Sequence, residues 1–356
     1  MEFKQTLDEF KIAINKELNH YFDIAIRDAG KHDLLIERAL GQAKKIALSG
    51  GKRIRGSLLQ CAYFGVGGRE KKKILKVAVA IEFLHLFFLV HDDIIDRGQL
   101  RHGQQPLHRF FAKKANNSSE LLKSEQFGNS VAIIVGDMFF AKANEIILQA
   151  GFGKKETLEA LTYLQNVVKM TIIGQSQDIA IENSKKVSQS DVLRMYENKT
   201  AKYTFEGPLL LGMIFAGVCD KKIKNIFSRY AGAIGKAYQL QDDTLGIFGK
   251  ERKIGKSTVS DIEEGKLSLM LVYARAKARG GDLKTLNGIF AKKGITQKET
   301  QFFKEILIKT GARKYAHDLT TRYFEIGKKE IEKAPLILQS KNFLLGLVEY
   351  LEEREV

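Results

Sequence analysis

Residues 85–108 read HLFFLVHDDIIDRGQLRHGQQPLH: an apolar run that ends in Asp92, Asp93 and Asp96, with four of the chain's seven histidines in the same window. The chain as a whole carries a formal net charge of +16. Three carboxylates at the end of an apolar segment of so basic a protein need a physical reason. Asp92 and Asp96 are spaced i, i+4, which puts both on one helix face, roughly 5–6 Å apart at Cβ. Alone they repel. Around Mg²⁺ each supplies one hard oxygen, and waters and phosphate oxygens complete the octahedron. His85 lies about two turns earlier on the same face. Three readings stand at this point: an exposed polar helix end, a His/Asp transition-metal site, and a hard-cation site for a phosphorylated substrate. Zinc is disfavoured, because no His-x₃-His or Cys pair accompanies the histidines. His91 points off the Asp92 face, and His102 and His108 lie beyond a glycine-containing loop.

The helical spacing extends outward. Apolar residues recur at i, i+3, i+4 and i+7 through most of the 356 residues. The pattern predicts helices over roughly 5–28, 33–47, 53–66, 70–97, 129–150, 156–181, 189–219, 222–248, 260–279, 299–331 and 337–352. Loops are expected at 98–106, at 112–128 around KKANNSSE, and at 249–258, GKERKIGKST. Period-2 strand patterns are missing, and there are only three prolines, Pro106, Pro208 and Pro335, as a helix-dominated chain requires. The expected fold class is all-α: a multi-helix bundle forming a single domain, 1–356.

Composition narrows the function. Apolar residues are 44% and charged residues 28%, ordinary for a soluble globular protein. Cys61 and Cys219 sit in apolar stretches and form no ligand-like pair, which points to a reducing, cytoplasmic compartment. The N-terminal MEFKQTLDEFKIAINKEL carries interspersed acids, unlike a signal or transit peptide. No uncharged apolar run reaches the ~18 residues of a membrane span. Lys and Arg number 58 against 42 Asp and Glu, so anionic partners are admitted. No recognition motif singles out nucleic acid, and none is expected as a partner.

Two further stretches carry chemistry. In KAYQLQDDTLGIFGKERKIGKSTVSDIEEGK an apolar helix again ends in paired carboxylates, Asp242 and Asp243. A Gly- and Lys-rich segment with Lys256 and Lys266 follows. Carboxylates for metal and lysines for phosphate belong together in a diphosphate site. In SGGKRIRG, residues 49–56, Gly50 and Gly51 end one helix, and Lys52, Arg53 and Arg55 begin the next. Such a helix start attracts anions through its exposed N–H groups and dipole. In isolation the stretch also reads as a plain interhelix turn.

In this order, GGKRIR, HLFFLVHDDIID, LRHG, GDMFFAKA, GQSQD, KTAKYTFEGPLLLG, QLQDDTLGIFG and GKSTVSDIEEGK resemble the trans-isoprenyl diphosphate synthases of the polyprenyl synthetase family. The resemblance runs from about residue 40 to 270. It implies an all-α bundle around a deep central cavity, of the isoprenoid synthase type I kind, and a homodimer. The implied substrates are isopentenyl diphosphate and allylic diphosphates (dimethylallyl, geranyl, possible also farnesyl), and the implied cofactor is Mg²⁺, three ions per active site. By match Asp92 and Asp96 hold two ions and Asp242 the third, with Asp93, Asp243, Gln175 and Asp178 in support. Arg101, Lys199, Lys256 and Lys266 match positions that grip the allylic diphosphate. Lys52, Arg55 and His85 match those gripping isopentenyl diphosphate. Lys199, Thr200 and Gln239 face the reacting carbons. The reaction implied is ionisation of an allylic diphosphate, attack by the isopentenyl double bond, and loss of a proton.

Three departures stand out. His102 replaces a second arginine common in the family, so a pH-sensitive group is expected beside the diphosphate. Gly246 stands where many members have a third aspartate, leaving Asp242 with less backing. The chain ends LEEREV, so the basic lid contact of some eukaryotic members is expected to be absent. Phe87 and Phe88 lie upstream of Asp92, about 6–8 Å along the helix. Aromatics at both positions resemble 15-carbon producers, so farnesyl diphosphate is the expected product and geranylgeranyl diphosphate the alternative. A class I terpene cyclase and a noncatalytic prenyl-diphosphate-binding subunit are more distant alternatives. The first lacks its usual Asn/Ser/Glu metal motif here, and the second tends to lose the aspartates.

Overall fold

The computed structural model describes residues 2–115, 121–184, 186–249 and 259–354, and among them every regular element is helical. The expected all-α class is what the chain adopts. Contacts divide it into two compact units, Met1–Leu161 with Ile214–Gly217, and Thr162–Met213 with Val218–Val356.

The first unit holds α1 (Glu2–Gly30), α2 (Leu34–Leu48), α3 (Ile54–Gly65), α4 (Lys71–Ile95), α5 (Leu107–Ala115), α6 (Leu121–Leu148) and the start of α7 (Lys154–Glu182). Asp33 starts α2 by accepting from the Leu35 and Ile36 N–H groups, which would otherwise be orphaned in the first turn. The helix of the opening stretch, α4, is the centre of this unit. Its Phe83 ring packs 5.1 Å from Phe22 of α1 and 5.8 Å from Phe139 of α6. All three rings are buried, each stabilising by about 1.5–3 kcal/mol. By length and composition α4 could cross a bilayer, but 61% of its most apolar window is buried inside the protein, as in a core helix.

The second unit holds the rest of α7, then α8 (Gln189–Tyr196), a π-helical segment Glu197–Glu206, most of α9 (Gly207–Phe215), and α10 (Lys221–Phe248). It continues with α11 (Ser260–Glu264), α12 (Leu269–Lys277), α13 (Gly280–Ile289), α14 (Gln297–Lys309), α15 (Ala312–Glu332) and α16 (Leu338–Glu352). Capping boxes at Ser188/Asp191 and Thr296/Glu299 start α8 and α14. Buried Tyr230 of α10 donates its hydroxyl to the Leu344 carbonyl of α16 at 2.9 Å, tying the chain's last helix to the one that carries Asp242.

Several boundaries correct the sequence reading. The expected loop at 112–128 is largely helix: α5 runs to Ala115 and α6 starts at Leu121, leaving only 116–120 outside the described residues. Polar KKANNSSE masked the apolar Leu107 and Phe111, which are both buried. The predicted helix 260–279 is broken at Gly265 (φ 80°) and 299–331 at Gly311 (φ 75°), left-handed positions that end a helix. Gly280 and Gly281, which lie outside the predicted helices, begin α13, which buries Leu286 and Ile289. The predicted 189–219 helix widens into the π segment. Pro208 has no N–H for the Thr204 carbonyl, and the Gly207 N–H reaches back five residues to Lys202. Of the 249–258 loop, only Gly249 is described.

Candidate active site

The last turn of α4 sorts its three aspartates. Asp92 and Asp96 are one turn apart, the Asp96 N–H donating to the Asp92 carbonyl at 2.8 Å, and both are half-buried. Asp93 is only 5% exposed and accepts from Arg101 Nε at 3.0 Å and Nη2 at 2.5 Å. It anchors an arginine, while Asp92 and Asp96 share one face of the helix end.

The bases of GGKRIRG are also sorted, in a way the sequence did not reveal. Lys52 is exposed. Arg53 turns into the core: its backbone is left-handed (φ 54°), and it binds Glu82 at 3.0 Å, Asn15 Oδ1 at 2.7 Å and the Ala47 carbonyl. Both charged side chains of that pair are about 95% buried or more, at 5% and 3% exposure. Arg53 therefore joins α1, α2 and α4, and leaves the anion-binding group to its neighbours. Arg55 Nη1 lies 3.2 Å from His85 Nε2. Burial holds the His85 imidazole well below its ordinary range, and Arg55, Arg101, Arg53 and His102 push the same way. Arg55 and Arg101 beside a neutral His85 are groups that could receive an anion.

His102 lies in the same group, with Nδ1 3.4 Å from the Ile46 carbonyl and its ring against Gly50. Burial lowers its pKa from 6.5, and Arg101 and Arg53 add to this against the Ile46 carbonyl and Asp93. In the substrate-free protein the neutral form of His102 is therefore favoured. If isopentenyl diphosphate binds beside it, as the family resemblance implies, its charge would raise that pKa and binding would take up a proton. The sign follows: apparent affinity for isopentenyl diphosphate should weaken as pH rises from below 6.5 until the raised pKa of the complex is passed, by at most about tenfold per pH unit. Calorimetry in two buffers of different ionisation enthalpy should show proton uptake, and His102→Arg should abolish it. Equal uptake in His102→Arg would mean that this ring does not face the substrate.

In the second unit the π segment presents Lys199 and Thr200. Gly174 of α7 and Gly235 of α10 lie directly on the segment's backbone at Lys199 and Ala201, where a Cβ would collide. Lys199 Nζ pairs with Asp178 at 2.6 Å, and the nearby Gln175 has a buried Oε1 without a hydrogen-bond partner. Thr200 donates to Gln239 Oε1 at 2.9 Å, and Gln239 Nε2 donates to Asp243 Oδ1 at 2.9 Å. Burial pushes the Asp243 carboxyl up to about 7, against its bonds from Tyr196 and Gln239. Lys266 lies 3.6 Å from Asp261 and 3.4 Å from Glu264. Lys256 is outside the described residues.

Two of the departures read differently in the structure. A side chain on Gly246 would collide with Asp261 Oδ2, so Asp261 brings a carboxylate into the space that a third motif aspartate would fill. The motif SDIEEGK contained it, but nothing in its spacing pointed back to Gly246. The end LEEREV does carry a basic contact: Arg354 pairs with Asp242 at 2.8 Å and lies over the Tyr238 ring. Gln241 Nε2 holds that end through the Leu351 and Arg354 carbonyls, at 2.7 and 3.1 Å.

Among the described residues no three His, Cys, Asp or Glu side chains converge as a metal cage. Mg²⁺ is commonly carried by one or two carboxylates together with waters and substrate phosphates, so these hard donors beside guanidinium and ammonium groups fit it. An all-α fold that ends two apolar helices in paired carboxylates defines a protein that handles metal-bound diphosphates. The comparisons agree. The profile of the family described as Polyprenyl synthetase matches residues 37–307. The geranylgeranyl diphosphate synthase of Methanosarcina mazei is 30% identical over 310 residues, covering 86% of this chain and 87% of that one. The geranylfarnesyl diphosphate synthase of Aeropyrum pernix is 27% identical over 323 residues, covering 89% and 95%. The crystal structure of a Corynebacterium glutamicum geranylgeranyl pyrophosphate synthase, complexed with isoprenyl diphosphate and magnesium, superposes with a TM-score of 0.91 at 26% identity, covering 98% and 99%. This chain belongs to the polyprenyl synthetase family and is a prenyltransferase of the trans-isoprenyl diphosphate synthase kind.

The expected 15-carbon product is not supported, since the matched relatives are mostly geranylgeranyl or geranylfarnesyl synthases. The Phe87 ring packs 4.8 Å from His91, 4.8 Å from Phe88 and 5.4 Å from Phe140 of α6.

Proposed function

We propose that this protein condenses isopentenyl diphosphate head-to-tail with allylic diphosphates and stops at the 20-carbon, all-trans geranylgeranyl diphosphate. The observation that supports the chain length is that the matched relatives are mostly geranylgeranyl or geranylfarnesyl synthases; with Phe87 packed 5.4 Å from Phe140 of α6, we take Phe88 as the ring that limits the growing tail. In the family one bulky ring there resembles 20-carbon producers.

The residues divide the work as follows. Asp92 and Asp96 would hold two Mg²⁺ ions and Asp242 a third, and bound Mg²⁺ would supply stabilisation of the charge that develops on the departing pyrophosphate. Arg101, held by Asp93, and Lys199, Lys256 and Lys266 orient the allylic diphosphate. Lys52, Arg55, His85 and His102 orient isopentenyl diphosphate. Thr200 and Gln239 offer oxygen dipoles to the allylic cation without a strong nucleophile, and the apolar helices around them exclude water. Dimethylallyl, geranyl and farnesyl diphosphates all serve as primers. Two copies pair through α6, whose Phe127, Ile133, Ile134 and Met138 are 40%, 44%, 51% and 37% exposed on one apolar stripe.

The test is to incubate the protein with labelled isopentenyl diphosphate and each primer and to size the products. Twenty carbons are expected from all three; a 15-carbon end product, or chains of 25 carbons and more, would refute the chain length. Phe88→Ala should extend the product by at least one isoprene unit. Phe87→Ala should lower the melting temperature and leave product length unchanged. The opposite pattern would place the floor on Phe87.

A further inference from the structure

We propose that Tyr196 is a positioning residue that sets which end of the Gln239 amide faces Thr200. The starting observation is a directed chain of four hydrogen bonds within the second unit. The Leu269 N–H donates to the Tyr196 hydroxyl oxygen at 3.0 Å. Tyr196 in turn donates its proton to Asp243 Oδ2. Gln239 Nε2 donates to Asp243 Oδ1 at 2.9 Å, and Thr200 Oγ1 donates to Gln239 Oε1 at 2.9 Å. Tyr196 is 1% exposed and Leu269 fully buried, so water does not substitute for either partner.

With Asp243 ionised, each bond sets the direction of the next. An amide N–H can only donate, so it takes an acceptor position of the Tyr196 oxygen and aims the phenolic proton elsewhere. The nearest acceptor is Asp243. That carboxylate, fixed by Tyr196 at one oxygen, takes the Gln239 NH₂ at the other. The Gln239 carbonyl is thereby left facing Thr200, and Thr200 must donate to it. The consequence is that the oxygen lone pairs of Thr200 stay available to a passing cation, while the positive NH₂ end of the glutamine is turned away. With the amide reversed, an N–H would occupy the place of an electronegative oxygen, and the local dipole would change sign for the cation. Tyr196 is also the residue after which the backbone widens into the π segment carrying Thr200, so its anchored ring fixes where that segment begins. None of the family-matched motifs includes it.

The inference rests on the prenyl-transfer reading of this site, and the test separates the two. Tyr196→Phe removes only the hydroxyl. With both substrates and Mg²⁺, its kcat should fall about tenfold, less than the 10²–10³ seen when a direct donor is lost. KM for both substrates should stay within about twofold, since Tyr196 touches neither. In a Gln239→Met background, where no amide remains to orient, Tyr196→Phe should have no further effect on kcat, a complete loss of additivity. A merely structural role would lower kcat in both backgrounds alike, and that outcome overturns the proposal, as does an unchanged kcat in Tyr196→Phe. Should melting curves show Tyr196→Phe unfolded, Asp243→Asn keeps the volume and turns an N–H towards Gln239. Its loss should contain a component that disappears in the Gln239→Met background, and equal losses in both backgrounds overturn the proposal. A wild type without prenyl transfer would instead refute the reading of the site.

Discussion

Asp92→Ala and Asp96→Ala should each lower kcat by at least about 10²-fold, the scale of losing a group that stabilises developing charge. The expectation comes from the sorting of the first motif. Asp93 is committed to Arg101 and its neighbours present carboxylates one helical turn apart. Asp93→Ala should therefore behave differently, loosening Arg101 and raising KM for the allylic substrate more than it lowers kcat. Asp242→Ala should cost less than either, because it also releases Arg354, a cation able to take part of the diphosphate's charge. Steady-state kinetics at saturating Mg²⁺ separate these cases. Near-normal turnover in Asp92→Ala would remove the hard-cation reading altogether.

The largest stability effect should come from the buried Arg53–Glu82 pair. Arg53→Ala leaves the Glu82 carboxylate uncompensated beneath three helices, a change of about 3–5 kcal/mol. That is a large share of the roughly 5–15 kcal/mol of a typical fold. Replacing both partners by methionine should restore most of it, because removing both charges also removes the desolvation cost. Thermal melts should show a fall of several degrees or more for Arg53→Ala and partial recovery in the double variant. A melting point in Arg53→Ala within a degree or two of wild type would mean that the pair does not hold α1, α2 and α4 together.

The contrast between Arg53 and Arg55 shows what the sequence could carry. Two arginines one residue apart look alike in a string, and the anion-binding reading took both. The difference lies in one left-handed backbone angle and in Glu82 and Asn15, 29 and 38 residues away. Helical periodicity made the long elements legible, because burial on one face is written at every third or fourth position. It missed α5 and α13, which are short and sit beside polar or glycine-rich runs. It missed the π segment too, since a widened turn keeps the same residue types and changes only which carbonyl each N–H finds. The paired aspartates were legible because their chemistry is local. The contacts of Asp242 with Arg354 and of Gly246 with Asp261 were not, because both depend on segments that meet only in the fold. Phe87 and Phe88 were visible as a pair, but the packing of Phe87 on Phe140 of α6 was not.

The central claim is that an allylic diphosphate ionises, for coupling to isopentenyl diphosphate, at a site where Asp92, Asp96 and Asp242 would hold Mg²⁺. The most direct measurement is the stoichiometry of pyrophosphate release. With Mg²⁺, both substrates and pure protein, one pyrophosphate should appear for each isopentenyl unit consumed, and none once the metal is chelated. Release from the allylic substrate alone at the same rate would point to cyclase chemistry. No release with both substrates and Mg²⁺ present, or continued turnover in excess chelator, would contradict the account.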